Sequence, residues 1–235
     1  DLLLKYVIKR CMDILLSTSV LVLLSPVLVF IAVAIRLDSS GPVLFRQRRM
    51  TKNGVIFVMY KFRTMVENAE HLHTGLFSYD DDFRVTRVGR FLRRTSLDEL
   101  PQLLNVIRGE MSIVGPRPPV SYELGPYEDL DEGYRKRFSV LPGITGLAQV
   151  SGRNELAWDE KIRFDNLYVD LFSRYGVLID LRIILMTILS VVSGRGIIES
   201  RGRSSDTFSD RELAATAASA VLEKARERSE PKHRP

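Results

Sequence analysis

The sequence predicts an α+β protein, mainly helical, with an N-terminal re-entrant membrane helix (helix, break, helix) and a small β element. Three observations carry that expectation. An uncharged apolar run is interrupted at its middle by Ser25-Pro26, basic residues flank the run on both sides, and one β-rich segment lies among helical patterns.

Residues 14–35 carry no charge. At ~1.5 Å per residue the run makes about 33 Å of helix, enough to cross a bilayer core of ~30 Å. Proline in a helix interior removes a hydrogen bond and clashes with the carbonyl four residues back, so Pro26 argues against an unbroken span. The flanks agree. Lys5, Lys9 and Arg10 precede the run; Arg36, Arg46, Arg48, Arg49 and Lys52 follow it. Basic residues beside a membrane segment mark its cytoplasmic side, and here both sides are marked. Arms of residues 14–25 and 26–35 would each penetrate roughly 15–18 Å, about half the core. Carbonyls freed at the break need partners in lipid, and the Ser17, Thr18 and Ser25 hydroxyls lie close by. A kinked single span is the second reading, since spanning helices tolerate proline. A signal peptide is the third: Ala32-Val33-Ala34 resembles a cleavage site, but the apolar region exceeds the usual ~7–15 residues.

Asp38-Ser39-Ser40-Gly41-Pro42 then reads as a turn. Residues 55–63 have the β-branched and aromatic richness of a buried strand. By its period of two, Lys61 and Arg63 share the face of Phe57 and Met59. A helix is expected over residues 65–70. His71 and His73, with no cysteine near, read as surface histidines rather than metal ligands. Asp80-Asp81-Asp82 offers a cation-binding loop, although acids in a loop are ordinarily just solvated.

Residues 90–107 are the richest stretch. Leu100, Leu103, Leu104 and Ile107 fit an amphipathic helix, and Pro101 is comfortable only in its first turn. The helix start therefore falls close to Asp98, where free N–H groups would favour a phosphate. The alternative is purely structural: Asp98 caps the helix, Glu99 matches its dipole, and Ser96 to Glu99 fits a capping box. The neighbours favour chemistry. Arg93 and Arg94 lie just upstream, and Arg117 sits between Pro116 and Pro118, on a stiff loop suited to gripping phosphate bidentately. Two adjacent carboxylates among arginines suit metal-assisted phosphoryl transfer.

The ten uncharged residues after Arg182 are too few to span and suit an interfacial or a core helix equally. From Ser193 the composition turns to Gly, Ser and Arg, then to an Ala-rich stretch through Arg228. There Ser209 and Glu212 fit a capping box, so a short helix is expected. A net charge of +5 and 45% apolar residues describe a globular body with an anionic partner: phospholipid, nucleotide or nucleic acid. A single cysteine, Cys11, excludes an intramolecular disulfide.

The stretches Gly41-Pro-Val-Leu-Phe-Arg46-Gln-Arg48, Lys61-Phe-Arg63-Thr-Met65, Arg87-Val-Gly-Arg90-Phe-Leu-Arg93-Arg-Thr-Ser-Leu-Asp98-Glu99-Leu-Pro-Gln-Leu, Ser112-Ile-Val-Gly-Pro-Arg117-Pro and Pro142-Gly-Ile-Thr-Gly-Leu-Ala-Gln-Val-Ser-Gly-Arg153 follow one another in the chain. In this order, over roughly residues 5–197, the sequence resembles the bacterial sugar transferase family, the monotopic phosphoglycosyl transferases. It departs at Met50-Thr51, where the family often has a glycine.

The resemblance implies a re-entrant helix broken at Ser25-Pro26, matching the reading made from charge and proline. It divides the chain into a membrane hairpin (1–37), a cytoplasmic catalytic domain (38–197) and a C-terminal extension (198–235). It makes Asp98 the nucleophile that attacks the β-phosphate of a UDP-sugar, releases UMP and carries the phosphosugar to polyprenyl (undecaprenyl) phosphate. Glu99 assists, Arg93 and Arg117 fall on phosphate-binding positions, and Lys61 on a basic position near the site. Mg2+ is implied, with Asp98 as its ligand. Asp98 is expected to stay ionised among the arginines. The implied setting is the bacterial inner membrane, with the active site facing the cytoplasm at the start of glycoconjugate or exopolysaccharide synthesis. The expected partners are the UDP-sugar, the polyprenyl phosphate and the phospholipid bilayer. A homodimer is left open, and nucleic acid is not expected. No residue decides the sugar. A retaining glycosidase also uses two carboxylates, but about 5–5.5 Å apart across a sugar, which sequence neighbours rarely achieve. A membrane-surface binding module would need no dyad.

Overall fold

The computed structural model describes residues 1–69, 82–151 and 158–192. α1 (Leu2–Leu23) and α2 (Ser25–Asp38) are separate helices, bent by 64° across Leu24. Among the described residues no single helix is long and apolar enough to cross a membrane; only this bent pair qualifies, by length and composition. Leu24 leaves helical geometry (φ −91°, ψ 4°), so Pro26 falls in the first turn of α2, where its missing N–H removes no bond. The carbonyl four residues back, Val22 O, accepts from Ser25 Oγ at 2.8 Å. Ser25 thus supplies the donor that proline lacks. Ser17 takes no part in this, and its hydroxyl is buried without a partner among the described residues.

Both ends of the bent pair rest on one body. Lys5, Lys9, Asp13 and Ser17 recur every fourth residue, the spacing of a single helix face. Lys5 Nζ donates to Ser173 O and Arg174 O (2.6 and 2.9 Å). Lys9 Nζ donates to Asp180 Oδ2 (2.7 Å) and Val114 O (3.0 Å). Asp13 accepts from Ser112 Oγ (2.7 Å) and Ile113 N (3.1 Å). Arg10, beside this stripe, donates to Val106 O and Ile107 O (2.6 and 2.8 Å). The basic residues before the apolar run are therefore engaged in docking α1, a role beyond the flanking charge that the sequence suggests. At the other end Ile31 and Ile35 pack with Phe62 and Leu92, and Asp38 accepts from Val88 N at 2.9 Å. Between these anchors Val22, Leu23 and Phe30 are exposed.

β1 (Leu44–Met50) pairs antiparallel with β2 (Ile56–Phe62), Leu44 opposite Phe62 and Met50 opposite Ile56. β1 departs from the sequence reading, in which Arg46, Arg48 and Arg49 are flanking charge. β2 alternates along its first half: Phe57 and Met59 are buried, while Ile56 and Val58 are exposed; at its end Phe62, on the second face, is buried against α2. Residues 65–69 are not the expected helix. Met65 bridges Val85, Val66 N donates to Arg84 O at 2.8 Å, and this pairing overrides local propensity. Asp82 is neither a solvated acid nor a free cation ligand: it forms a buried ion pair with Arg84 (2.6 Å). Asp80, Asp81, His71 and His73 lie outside the described residues.

α3 (Arg87–Thr95) is capped by Thr86, whose hydroxyl accepts from Gly89 N at 2.9 Å. A 3-10 turn (Leu97–Glu99) and α4 (Gln102–Arg108) follow. β3 (Ser112–Val114) pairs in parallel with β4 (Gly143–Thr145), reached through the short α5 (Glu132–Lys136). α6 (Leu147–Ser151), α7 (Trp158–Tyr175) and α8 (Val177–Val192) complete the body. Its main core joins Val114 and Leu147 to Tyr168, Phe172, Ile179 and Ile183. α8 is at once a core and a surface helix: Ile179 and Ile183 are buried, whereas Leu178, Leu181, Leu185, Ile188 and Leu189 are exposed. The mainly helical α+β expectation is met, with two two-stranded sheets as the β part. The short helix expected near Ser209 lies outside the described residues.

Candidate active site

The site forms where β2, the 3-10 turn and the loop after β3 meet. Ser96 adopts left-handed geometry (φ 57°, ψ 16°), ends α3 and leads into the turn that carries Asp98 and Glu99. Asn105 ties this region to β2. It is fully buried, its Nδ2 donates to Val58 O and Glu110 Oε2 (both 2.7 Å), and its Oδ1 accepts from Tyr60 N at 3.1 Å. No sequence signal marks Asn105.

The capping alternative fails. α4 starts at Gln102 behind Pro101, four residues after Asp98, and neither it nor the 3-10 turn has a side-chain cap. The Ser96 N–H donates to Arg93 O rather than to Glu99. At seven residues, α4 also starts too late and is too short to serve as the phosphate-binding terminus expected from the sequence.

Glu99 is instead gripped by cations from two other segments. Lys61, at the end of β2 on the Phe57/Met59 face, places Nζ 2.6 Å from Glu99 Oε1. Arg117 Nη1 lies 3.5 Å from the same oxygen. Burial alone would raise the Glu99 pKa, but Lys61 and Arg117 outweigh it and hold the carboxyl at about 2. Asp98 is the opposite case. It is buried, and no hydrogen bond or ion pair from the described residues reaches its carboxyl. Burial pushes it up to about 6, with Glu99 adding to the rise and Lys61, Arg93 and Arg117 opposing it. The firmly ionised carboxylate is therefore Glu99, while Asp98 is ionised at pH 7 but basic enough to titrate just below it. The carboxyl thus remains ionised at neutral pH, as expected from the sequence, but with its pKa raised rather than lowered, because desolvation outweighs its cationic neighbours.

Arg93, on the last turn of α3, is largely buried, and its Nε donates to Thr64 Oγ1 at 2.9 Å. The structure thus gathers Lys61, Arg93, Asp98, Glu99 and Arg117, five residues spread over the chain, into one electrostatically coupled cluster. The loop bearing Arg117 is packed against β4 through glycines. A Cβ on Gly143 would come within 2.1 Å of Gly115 N, a distance no side chain tolerates.

A desolvated carboxylate, a neighbouring carboxylate fixed by two cations, and a third cation coupled to them form the kind of perturbed charge cluster that marks a candidate active site. Comparison with known proteins makes the class specific. Residues 4–194 match the model of the bacterial sugar transferase family, and the chain belongs to that family. It is 45% identical over 188 residues to the UDP-glucose:undecaprenyl-phosphate glucose-1-phosphate transferase of Escherichia coli, covering 77% of this chain and 39% of that relative. It is 42% identical over 176 residues to the undecaprenyl-phosphate galactose phosphotransferase of Salmonella typhimurium, covering 69% of this chain and 36% of the relative. It is 42% identical over 202 residues to an exopolysaccharide production protein of Sinorhizobium fredii, covering 80% of this chain and 87% of the relative. The chain thus spans about two fifths of the first two relatives and most of the third.

Proposed function

We propose that this protein transfers a sugar-1-phosphate from a UDP-sugar to a polyprenyl phosphate at the cytoplasmic face of a bacterial inner membrane. The observation that carries the reading is the division of labour within the carboxylate pair: Glu99 is held by Lys61 and Arg117, and Asp98, with no bond from the described residues, is desolvated and beside cations.

In the first half-reaction an Asp98 oxygen attacks the sugar-bearing phosphorus of the UDP-sugar. The bridging P–O bond to the α-phosphate breaks, UMP leaves with the electron pair, and the phosphosugar remains on the carboxylate as a mixed anhydride. In the second, a phosphate oxygen of the polyprenyl phosphate attacks the same phosphorus. The bond to Asp98 breaks, restoring the carboxylate and giving the polyprenyl diphosphate sugar. Arg93 and Arg117 neutralise the diphosphate as it approaches, and Lys61 keeps Glu99 ionised without leaving its charge to repel the donor. Among the described residues no three His, Cys, Asp or Glu side chains gather into a metal cage. Magnesium needs none: it is commonly held by one or two carboxylates plus substrate phosphates, and the unbonded Asp98 carboxyl fits that demand. When bound it would offset the negative charge of the diphosphate.

The docking of both helix ends on one body supports a re-entrant α1–α2, since a spanning segment would separate those ends by a full bilayer. The exposed apolar apex then enters lipid and returns, keeping the site at headgroup height, where the acceptor phosphate lies. Relatives named for glucose and for galactose match at similar identity, which supports UDP-glucose and UDP-galactose as the first donors to test.

The deciding experiment omits the acceptor. Protein incubated with magnesium and UDP-glucose or UDP-galactose should gain one phosphosugar mass on a peptide containing Asp98. Asp98→Asn should abolish both this adduct and UMP release, because an amide cannot displace UMP. An active Asn variant would overturn the mechanism.

A further inference from the structure

The loop that presents Arg117 is held in an unusual way: each of its four consecutive carbonyls has a donor. Pro116 O accepts from Gly143 N (2.9 Å) and Pro119 O from Met50 N (3.1 Å), which are ordinary backbone contacts. The two carbonyls between them are held by side chains. Arg117 O accepts from Arg137 Nη2 (2.5 Å), and Pro118 O accepts from Arg49 Nη1 (2.7 Å). We propose that Arg49 and Arg137 are positioning residues that fix the loop from behind, so that the Arg117 side chain is presented to the donor phosphate. This rests on the role given to Arg117 above.

Neither guanidinium is placed to bind substrate itself. Arg137 is 2% exposed, and its Nη2 also pairs with the equally buried Asp165 Oδ2 at 2.8 Å. Arg49 is engaged on its other side, with Nε and Nη2 donating to Gln47 Oε1 (2.9 and 2.6 Å). The Arg117 side chain, by contrast, is 42% exposed and faces Glu99. Prolines cannot donate, so a loop with three of them in four residues keeps a single backbone N–H, that of Arg117, against four carbonyl acceptors. A planar, forked cation is the side chain that can join such an acceptor to a second anchor in fixed geometry. Arg49 reaches from β1, and Arg137 from the turn after α5. The loop is thereby tied to the β1–β2 hairpin, which carries Lys61, and to α7, which carries Asp165. Burial, with the Arg117 charge adding, lowers Arg49 to about 10, which leaves Arg49 cationic at pH 7.

The test is a double-mutant cycle on UMP release with UDP-glucose and UDP-galactose, run beside thermal unfolding of each variant. Arg49→Met should lower kcat/KM at least 10-fold in the parent background and less than 2-fold when Arg117 is already Ala. Arg49→Lys should stay impaired, because one ammonium cannot join Gln47 Oε1 and Pro118 O as the fork does. The paired change Arg137→Met with Asp165→Leu, which leaves no buried charge unpaired, should show the same dependence on Arg117. Equal losses in both backgrounds, or full rescue by Arg49→Lys, would overturn the positioning role. If Arg117→Ala alone leaves kcat/KM unchanged, or neither sugar nucleotide yields UMP, the site reading itself falls, and it does so independently of Arg49.

Discussion

Removing the Lys9 ammonium should unlatch α1 from the body. Lys9 Nζ and Asp180 Oδ2 are 2.7 Å apart, with side chains 8% and 0% exposed. Lys9→Met keeps the aliphatic length but strands the fully buried Asp180 carboxylate with, among the described residues, only the Tyr168 hydroxyl at 2.9 Å to serve it. Breaking one side of a buried pair costs roughly 3–5 kcal/mol. For a chain of this size each kcal/mol moves the midpoint by ~2–4 °C, so a fall of roughly 6–20 °C is expected. Burial already raises the Asp180 pKa, and Lys9 is the main influence opposing it. Without Lys9 the folded-state pKa rises further, so the variant's stability is fullest below the unfolded value and lost as pH climbs through the folded one. The deficit relative to the parent should therefore shrink on acidification. Lys9→Met with Asp180→Leu removes both charges, and the Tyr168 hydroxyl keeps Val114 O at 3.1 Å. It should recover most of the loss. Thermal unfolding in detergent micelles at neutral and mildly acidic pH measures all three variants. A cost below about 1 kcal/mol for Lys9→Met, or a double variant no better than the single, would refute the argument.

Two further outcomes follow from the site and the fold. The burst of UMP release should decline as pH falls through about 6, because the attack proposed for Asp98 requires its ionised form. Lys61→Met should move that limb to higher pH, since Lys61 pulls the Asp98 pKa down, and a shift the other way would contradict the assignment. For topology, single cysteines placed near residues 1 and 41, in a Cys11→Ser background because Cys11 is exposed, should both be labelled only from the cytoplasmic side. Labelling of one from outside would replace the hairpin with a span.

What could be read from the sequence is what local chemistry declares. Ser25-Pro26 announces a break because proline's missing N–H is a property of one residue, and the β-branched run at 55–63 announces β2. Asp98-Glu99 beside Arg93 and Arg117 draws attention as a charge pattern. What escaped depends on partners far along the chain. β1 hides because alternate outward positions are occupied by Arg46 and Arg48, so its charge conceals its period. The expected helix at 65–70 gives way to pairing with Arg84 and Val85, a contact that no propensity encodes. The unequal titration of Asp98 and Glu99 comes from burial and from which carboxylate Lys61 reaches. Neighbours in sequence cannot show that difference. The family resemblance supplied the roles; geometry supplied the asymmetry between the two acids.

The stripe along α1 bears on how the chain comes together during synthesis. Lys5 and Lys9 are made 168 and 171 residues before the groups that receive them, Ser173 and Asp180. Asp13 meets Ser112 and Ile113 once β3 is made, but until α7 and α8 exist the Lys5 ammonium has no counterpart and Lys9 lacks its carboxylate, so both ammonium groups must remain hydrated. A helix in that condition can rest on a bilayer by its apolar side but cannot settle. The segment translated before the rest of the body is thus among the last to acquire its final contacts. Closure of long-range pairs of this kind is slow, because ordering the intervening chain precedes any return in contact energy. The docking of α1 on the body is then a late event, with α8 as the piece that locks it.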